Sequence, residues 1–187
     1  MEVLIFLYIR FKANLMKKTL LTVTLLLCSF FFGQAQTTLR GAETFHVQLP
    51  ANFIRAIGVN DLASVQWEHT EKEIYGYIIF ENTAEMKLAE LDLDLKQYAE
   101  LCLNDFSDIE QYQLLKTENY TTTNGLATIE HTIRYQNTEL DTMIMMQINA
   151  YKTPHFYYKL IQFGDEATFK AYTTDLKRIA KEVQFPH

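Results

Sequence analysis

The side chains able to do chemistry are few and scattered. His69 stands in the charged run Glu68-His69-Thr70-Glu71-Lys72-Glu73, where an imidazole and three carboxylates offer the ligand types that gather a hard or borderline cation. The spacing matches no established metal loop, and a solvated turn between two strands accounts for the same residues. His131 falls on the apolar side of an alternating stretch, the usual place of a hydrogen-bonded core histidine. Cys102 lies on an apolar helical stripe with no histidine on that helix to lower its pKa, so a small buried hydrophobe is the expected role. Ser64 and Ser107 sit in no catalytic context, and the chain has no G-x-S-x-G, G-x-x-x-x-G-K-[ST] or H-E-x-x-H pattern. We therefore assign no catalytic residue, no metal ligand and no cofactor from the sequence. An enzyme here would need polar groups that converge only in space, such as Glu68, His69 and Glu130.

Aromatic residues offer a different chemistry. After residue 35 the chain keeps ten tyrosines, eight phenylalanines and Trp67. Tyrosine is favoured where one end of a side chain is buried and the other wet. Tyr75 and Tyr77 alternate onto one face of an expected strand, with Trp67 across the hairpin, and exposed Trp and Tyr are frequent interface anchors. These three residues are the binding candidates, and packing into the core is the competing fate.

Elements must position these groups. Phe45–Pro50 reads as a strand stopped by proline, and residues 63–67 and 74–80 as a hairpin about the charged turn. Leu95, Tyr98, Ala99, Cys102 and Phe106 recur at helical spacing, with Asp94 and Gln97 as a capping box at the start. Strands are expected at 112–118, 126–136, 142–152 and 155–163. Asn124-Gly125 makes the first of their hairpin turns, and short connections imply sequential antiparallel order. In 126–135, Ala127, Ile129, Ile133 and Tyr135 share a face with His131, while Thr128, Glu130, Thr132 and Arg134 form a polar one. The next strand is largely apolar on both sides, as a covered central strand would be. Asp165 offers the N-cap of a closing helix, 166–183, with Phe169, Tyr172, Leu176, Ile179 and Val183 as its stripe. Lys177, Arg178 and Lys181 read as its solvated side.

Ahead of these elements stands an address. Lys17 and Lys18, the 14-residue apolar run Thr19–Phe32 and Gly33-Gln34-Ala35 have the order of an export signal cleaved after Ala35, with Met16 as its expected start. The run is shorter than the ~20 apolar residues a spanning helix needs, so contact with a membrane is expected only through an uncleaved signal. Cys28 follows three leucines, which does not fit lipidation. The expected organisation is 1–35 as extension and signal, 36–44 as a polar lead, and 45–187 as one domain. Removing residues 1–35 takes the formal charge from −6 to −9 and leaves Cys102 alone, so no intramolecular disulfide can form. No basic stripe remains for nucleic acid.

The order strand ending in Leu49-Pro50, hairpin, mid-chain helix at 94–106, antiparallel strands entered through Asn124-Gly125-Leu126-Ala127, and closing helix with the tail to Phe185 resembles the PsbP-like superfamily. That resemblance covers 45–187 and implies an α+β fold: an antiparallel sheet with an N-terminal hairpin, one mid-chain helix and a C-terminal helix packed on it, an α-β-α sandwich. It implies a binding or assembly protein more than an enzyme, and it carries no site residue over to this chain. The expectation is thus an exported, non-catalytic, monomeric protein of a bacterial envelope, periplasmic or extracellular, with a protein or a hydrophobic ligand as partner. A secreted hydrolase or metal-binding protein is the alternative.

Overall fold

A computed structural model describes residues 36–42, 45–109 and 112–185. The expected signal, start and cleavage site, and Cys28, lie outside the described residues. The elements are β1 (Thr37–Arg40), β2 (His46–Leu49), β3 (Phe53–Arg55), β4 (Val65–His69), β5 (Ile74–Asn82), α1 (Thr83–Leu88), α2 (Leu95–Asn104), β6 (Gln113–Thr121), β7 (Ala127–Asn137), β8 (Thr142–Lys152), β9 (Phe156–Asp165) and α3 (Glu166–Glu182). Strands β3 to β9 form one antiparallel sheet in the order β3-β4-β5-β9-β8-β7-β6, with β1 and β2 paired separately.

Each face of the sheet buries a core under its own helix. Trp67, Ile74, Ile78, Met145, Tyr151, Tyr158 and Leu160 meet Phe169, Leu176, Ile179 and Val183 of α3 and its tail, together with Val47 and Leu49 of β2. On the other face Ile133, Met146, Ile148, Tyr157 and Ile161 meet Tyr98, Ala99 and Cys102 of α2. Each fully buried large side chain contributes roughly 1.5–3 kcal/mol of transfer free energy, which holds the described residues together without a disulfide among them. Tyr98 stacks on Tyr157 with centroids 4.6 Å apart.

Local chemistry sets the helix ends. Asp94 accepts from the Gln97 amide at 2.8 Å while the Gln97 side chain accepts from the Asp94 amide at 2.8 Å, the expected capping box. Asp165 accepts from Ala167 and Thr168 to start α3. Between β6 and β7 only Gly125 takes a positive φ, 89°; Asn124 does not, because the connection spans Thr122–Leu126 and is longer than a two-residue turn.

Three expectations are corrected. Thr37–Arg40, read as a polar lead ahead of the domain, is a strand paired with β2, because Leu39 turns into the core. Helix α1, capped by Asn82, was not foreseen. The polar face of β7 is not wet: Thr128 and Glu130 are buried beneath α3.

Candidate functional site

The aromatic candidates do not assemble. Trp67 pairs with Gly76 across β4 and β5, so it shares the α3 face and is fully buried. Tyr75 and Tyr77 flank Gly76 and point to the other face, where both rings lie against Phe163 at 5.5 and 6.4 Å. Trp67 is core, and no surface joins it to the two tyrosines.

The polar candidates stay apart as well. His69 is buried, with its ring against Phe53 and Tyr172 at 5.1 and 4.7 Å and its Nδ1 accepting from the Glu71 amide. Glu130 lies on β7, four strands from β4, a separation of about 19 Å at normal strand spacing. Glu68, His69 and Glu130 therefore cannot act on one substrate atom. Among the described residues no three His, Cys, Asp or Glu side chains gather as metal ligands. Cys102 is buried on the α2 stripe, and burial pushes its thiol up to about 12.

What the fold does build is a groove of about 770 Å³ between α2 and strands β6 and β7. Its wall is one side of α2, where Leu95, Ala99 and Leu103 recur at i, i+4 and i+8. Its floor is Leu114, Thr117, Asn119 and Thr121 of β6 beside Ala127, Ile129 and His131 of β7. A β-bulge makes this floor. Leu114 pairs with Ile133 and Lys116 with Thr132, so the extra residue Leu115 lets Leu114 share the α2 face with Thr117.

The wall is held at both ends. Lys152 Nζ and Tyr157 OH both donate to the Leu93 carbonyl just before the capping box, and Lys159 pairs with Asp105 after the last turn. The polar side chains of the groove lie on its floor, at Thr117, Asn119, Thr121 and His131, and at its rim, at Lys96 and Glu100. His131 Nδ1 and Thr117 Oγ1 share a hydrogen bond of 2.9 Å, and burial holds the imidazole below its usual pKa, so it is neutral. Lys96 and Glu100 stand at the rim 3.9 Å from each other, so the charges beside the groove cancel.

Beneath α3 the other face carries a buried polar layer. Gln147 donates to Glu130 at 2.7 Å, Tyr120 OH donates to Asn149 at 2.7 Å, and Gln162 donates to the Leu176 carbonyl of α3. Lys177 reaches down to Glu118 at 2.6 Å and to Glu130 at 3.9 Å, so this part of the supposed solvated side is a partly exposed clamp from α3 onto β6 and β7. Arg178 pairs with Asp175 on the same helix, and Lys181 lies over the Tyr120 ring. Hydrogen bonds from Lys116 and Lys177 lower Glu118 to about 2, while burial raises Glu130.

Reasoning from the sequence missed the groove. The available signal was the apolar arc of α2: Leu103 widens it beyond the stripe that holds Leu95, Tyr98, Ala99 and Cys102.

No protein-family model matches the sequence, and no curated protein matches it. Among solved structures, the crystal structure of LpqN, involved in cell envelope biogenesis of Mycobacterium tuberculosis, is similar with a TM-score of 0.61 and 10% identity over 81% of this chain and 91% of that one. The solution structure of cyanobacterial PsbP (CyanoP) from Synechocystis sp. PCC 6803 is similar with a TM-score of 0.55 and 9% identity over 83% of this chain and 96% of that one. With α2 on one face of its antiparallel sheet, α3 on the other, and this likeness to both structures, the chain has the PsbP-like α-β-α sandwich fold.

Proposed function

We propose that the chain is an exported, non-catalytic binding protein of the cell envelope that takes an uncharged hydrophobic ligand into the groove between α2 and β6–β7. The groove carries the reading. Its 770 Å³ falls within the roughly 300–1,000 Å³ of small-molecule sites, and its apolar α2 wall faces a floor whose polar groups are the uncharged Thr117, Asn119 and Thr121 with the hydrogen-bonded His131. The cancelled charges of Lys96 and Glu100 favour an apolar body over an ionic head. The signal-like order of residues 16–35 and the envelope role of the similar LpqN support the address, on the periplasmic or extracellular side. Fold likeness alone does not fix function, so the ligand must be tested at the site.

The test is binding of the uncharged fluorophore N-phenylnaphthylamine and its displacement by long-chain alcohols. Ala127 is exposed on the groove floor, and tryptophan suits a strand, so Ala127→Trp fills the site without disturbing the core. Saturable binding by the wild type and its loss in Ala127→Trp is the expected result. Absence of binding, or equal binding by the variant, refutes the groove. Mass spectrometry of the chain recovered from envelope fractions tests export, with Gln36 as the expected first residue.

A further inference from the structure

Strand β6 is the outer edge of the sheet and nine residues long, whereas the opposite edge strand, β3, has three. Among the described residues no strand or loop backbone pairs with its outer side. Natural proteins shield such an edge with charged side chains, prolines, bulges or a covering segment, since it is a template for another strand; the bulge at Leu115 leaves 116–121 as regular strand. Here the charges are of opposite sign: Lys116 and Glu118 flank Thr117 on the α3 face, 2.6 Å from each other and with Lys177 also on Glu118, so they offer a second strand a matched set of charges, and Leu114 and Leu115 beside them are each 47% exposed.

We propose that two copies of this chain pair through β6, antiparallel, about a two-fold axis at Thr117. In that register Lys116 lies opposite Glu118 of the second copy and Glu118 opposite its Lys116. Each contact thus occurs twice, as a symmetric interface requires. Directly opposed side chains stand about 5 Å apart, close enough for both pairs to form. The neighbouring registers fail: an axis at Lys116 opposes two lysines, and one at Glu118 opposes two glutamates. The pairing also covers the exposed leucines with the far half of the other β6. It is independent of what the groove binds. Because the axis is perpendicular to the sheet, it leaves both α2 helices on one face, with a floor of β7-β6-β6-β7 between them.

Sedimentation equilibrium of the exported form over a wide concentration range gives the first reading, a monomer–dimer equilibrium. Lys116→Glu opposes two pairs of like charges and should weaken it at least about tenfold. Thr117→Cys gives a second reading that needs no charge change. Opposed Cα atoms in an antiparallel pair lie roughly 4.5–5.5 Å apart, within disulfide reach, and Cys102 is buried and does not compete. Oxidation should therefore link this variant into a covalent dimer. A wild type that stays monomeric at the highest concentration, a dimer indifferent to Lys116→Glu, or a Thr117→Cys variant that does not cross-link overturns the proposal.

Discussion

Gly76 stands directly opposite Trp67 across the β4–β5 pair, and the indole occupies the space where a Cβ of residue 76 would lie. The neighbour is a fully buried ring wedged in the α3-side core and cannot swing aside. Gly76→Ala should therefore cost about 1–3 kcal/mol through overpacking, against the small gain an alanine normally brings to a strand. Urea unfolding followed by Trp67 fluorescence measures this; an unchanged midpoint would show that the ring adapts.

Glu118 and Glu130 oppose each other in the pH dependence of stability. Glu118 is held at about 2 by hydrogen bonds from Lys116 and Lys177, below its ordinary 4.5. Its contribution is present above 4.5 and is lost as pH falls toward 2. Burial raises Glu130, so its contribution is full below its ordinary pKa and is lost as pH rises through the folded value. Glu130→Gln keeps the partner Gln147 and should stabilise the fold at neutral pH, while Glu118→Gln should flatten the acid limb. Urea midpoints across pH for the two variants check both signs.

Cys102 should resist thiol reagents in the native state. Its side chain is buried and its thiol is raised to about 12, so almost no thiolate forms in mildly alkaline buffer. Modification by Ellman's reagent should follow global unfolding, with its rate rising in urea together with the loss of fluorescence. Rapid labelling without denaturant would mean that α2 lifts from the sheet.

Asp165 closes the open amides at the start of α3 with bonds to Ala167 and Thr168 of 3.1 and 3.0 Å. Asp165→Ala should cost about 1 kcal/mol, and Asp165→Asn or Asp165→Ser much less, as replacements that keep a capping oxygen. Thermal melts of the three variants separate the cap from a general effect of charge.

The elements that declare themselves by period were legible: the hairpin of β4 and β5, the capping box and stripe of α2, the run β6 to β9 and the Asp165 cap. Facing relations were not. Trp67, Tyr75 and Tyr77 have the same parity in number, but the register of β4 against β5 sets Trp67 opposite Gly76 and so on the other side from the tyrosines. Gln147 and Asn149 were equally unreadable, since only the position of α3 decides that they meet Glu130 and Tyr120 in a buried layer. Helix α1 is one and a half turns long, too short to show a period. The groove depends on the bulge at Leu115, a local change of count that no alternation pattern announces.

Near the beginning of the domain, His46 exchanges two backbone hydrogen bonds with Gln184, at 2.8 and 2.9 Å. The two residues lie at opposite ends of the domain, so this pair closes nearly all of it into one loop. Contacts between the two ends of a chain also close slowly, because the whole intervening loop must be ordered first. The His46–Gln184 pair therefore belongs to the late steps of folding, after the strands between its two partners have been ordered.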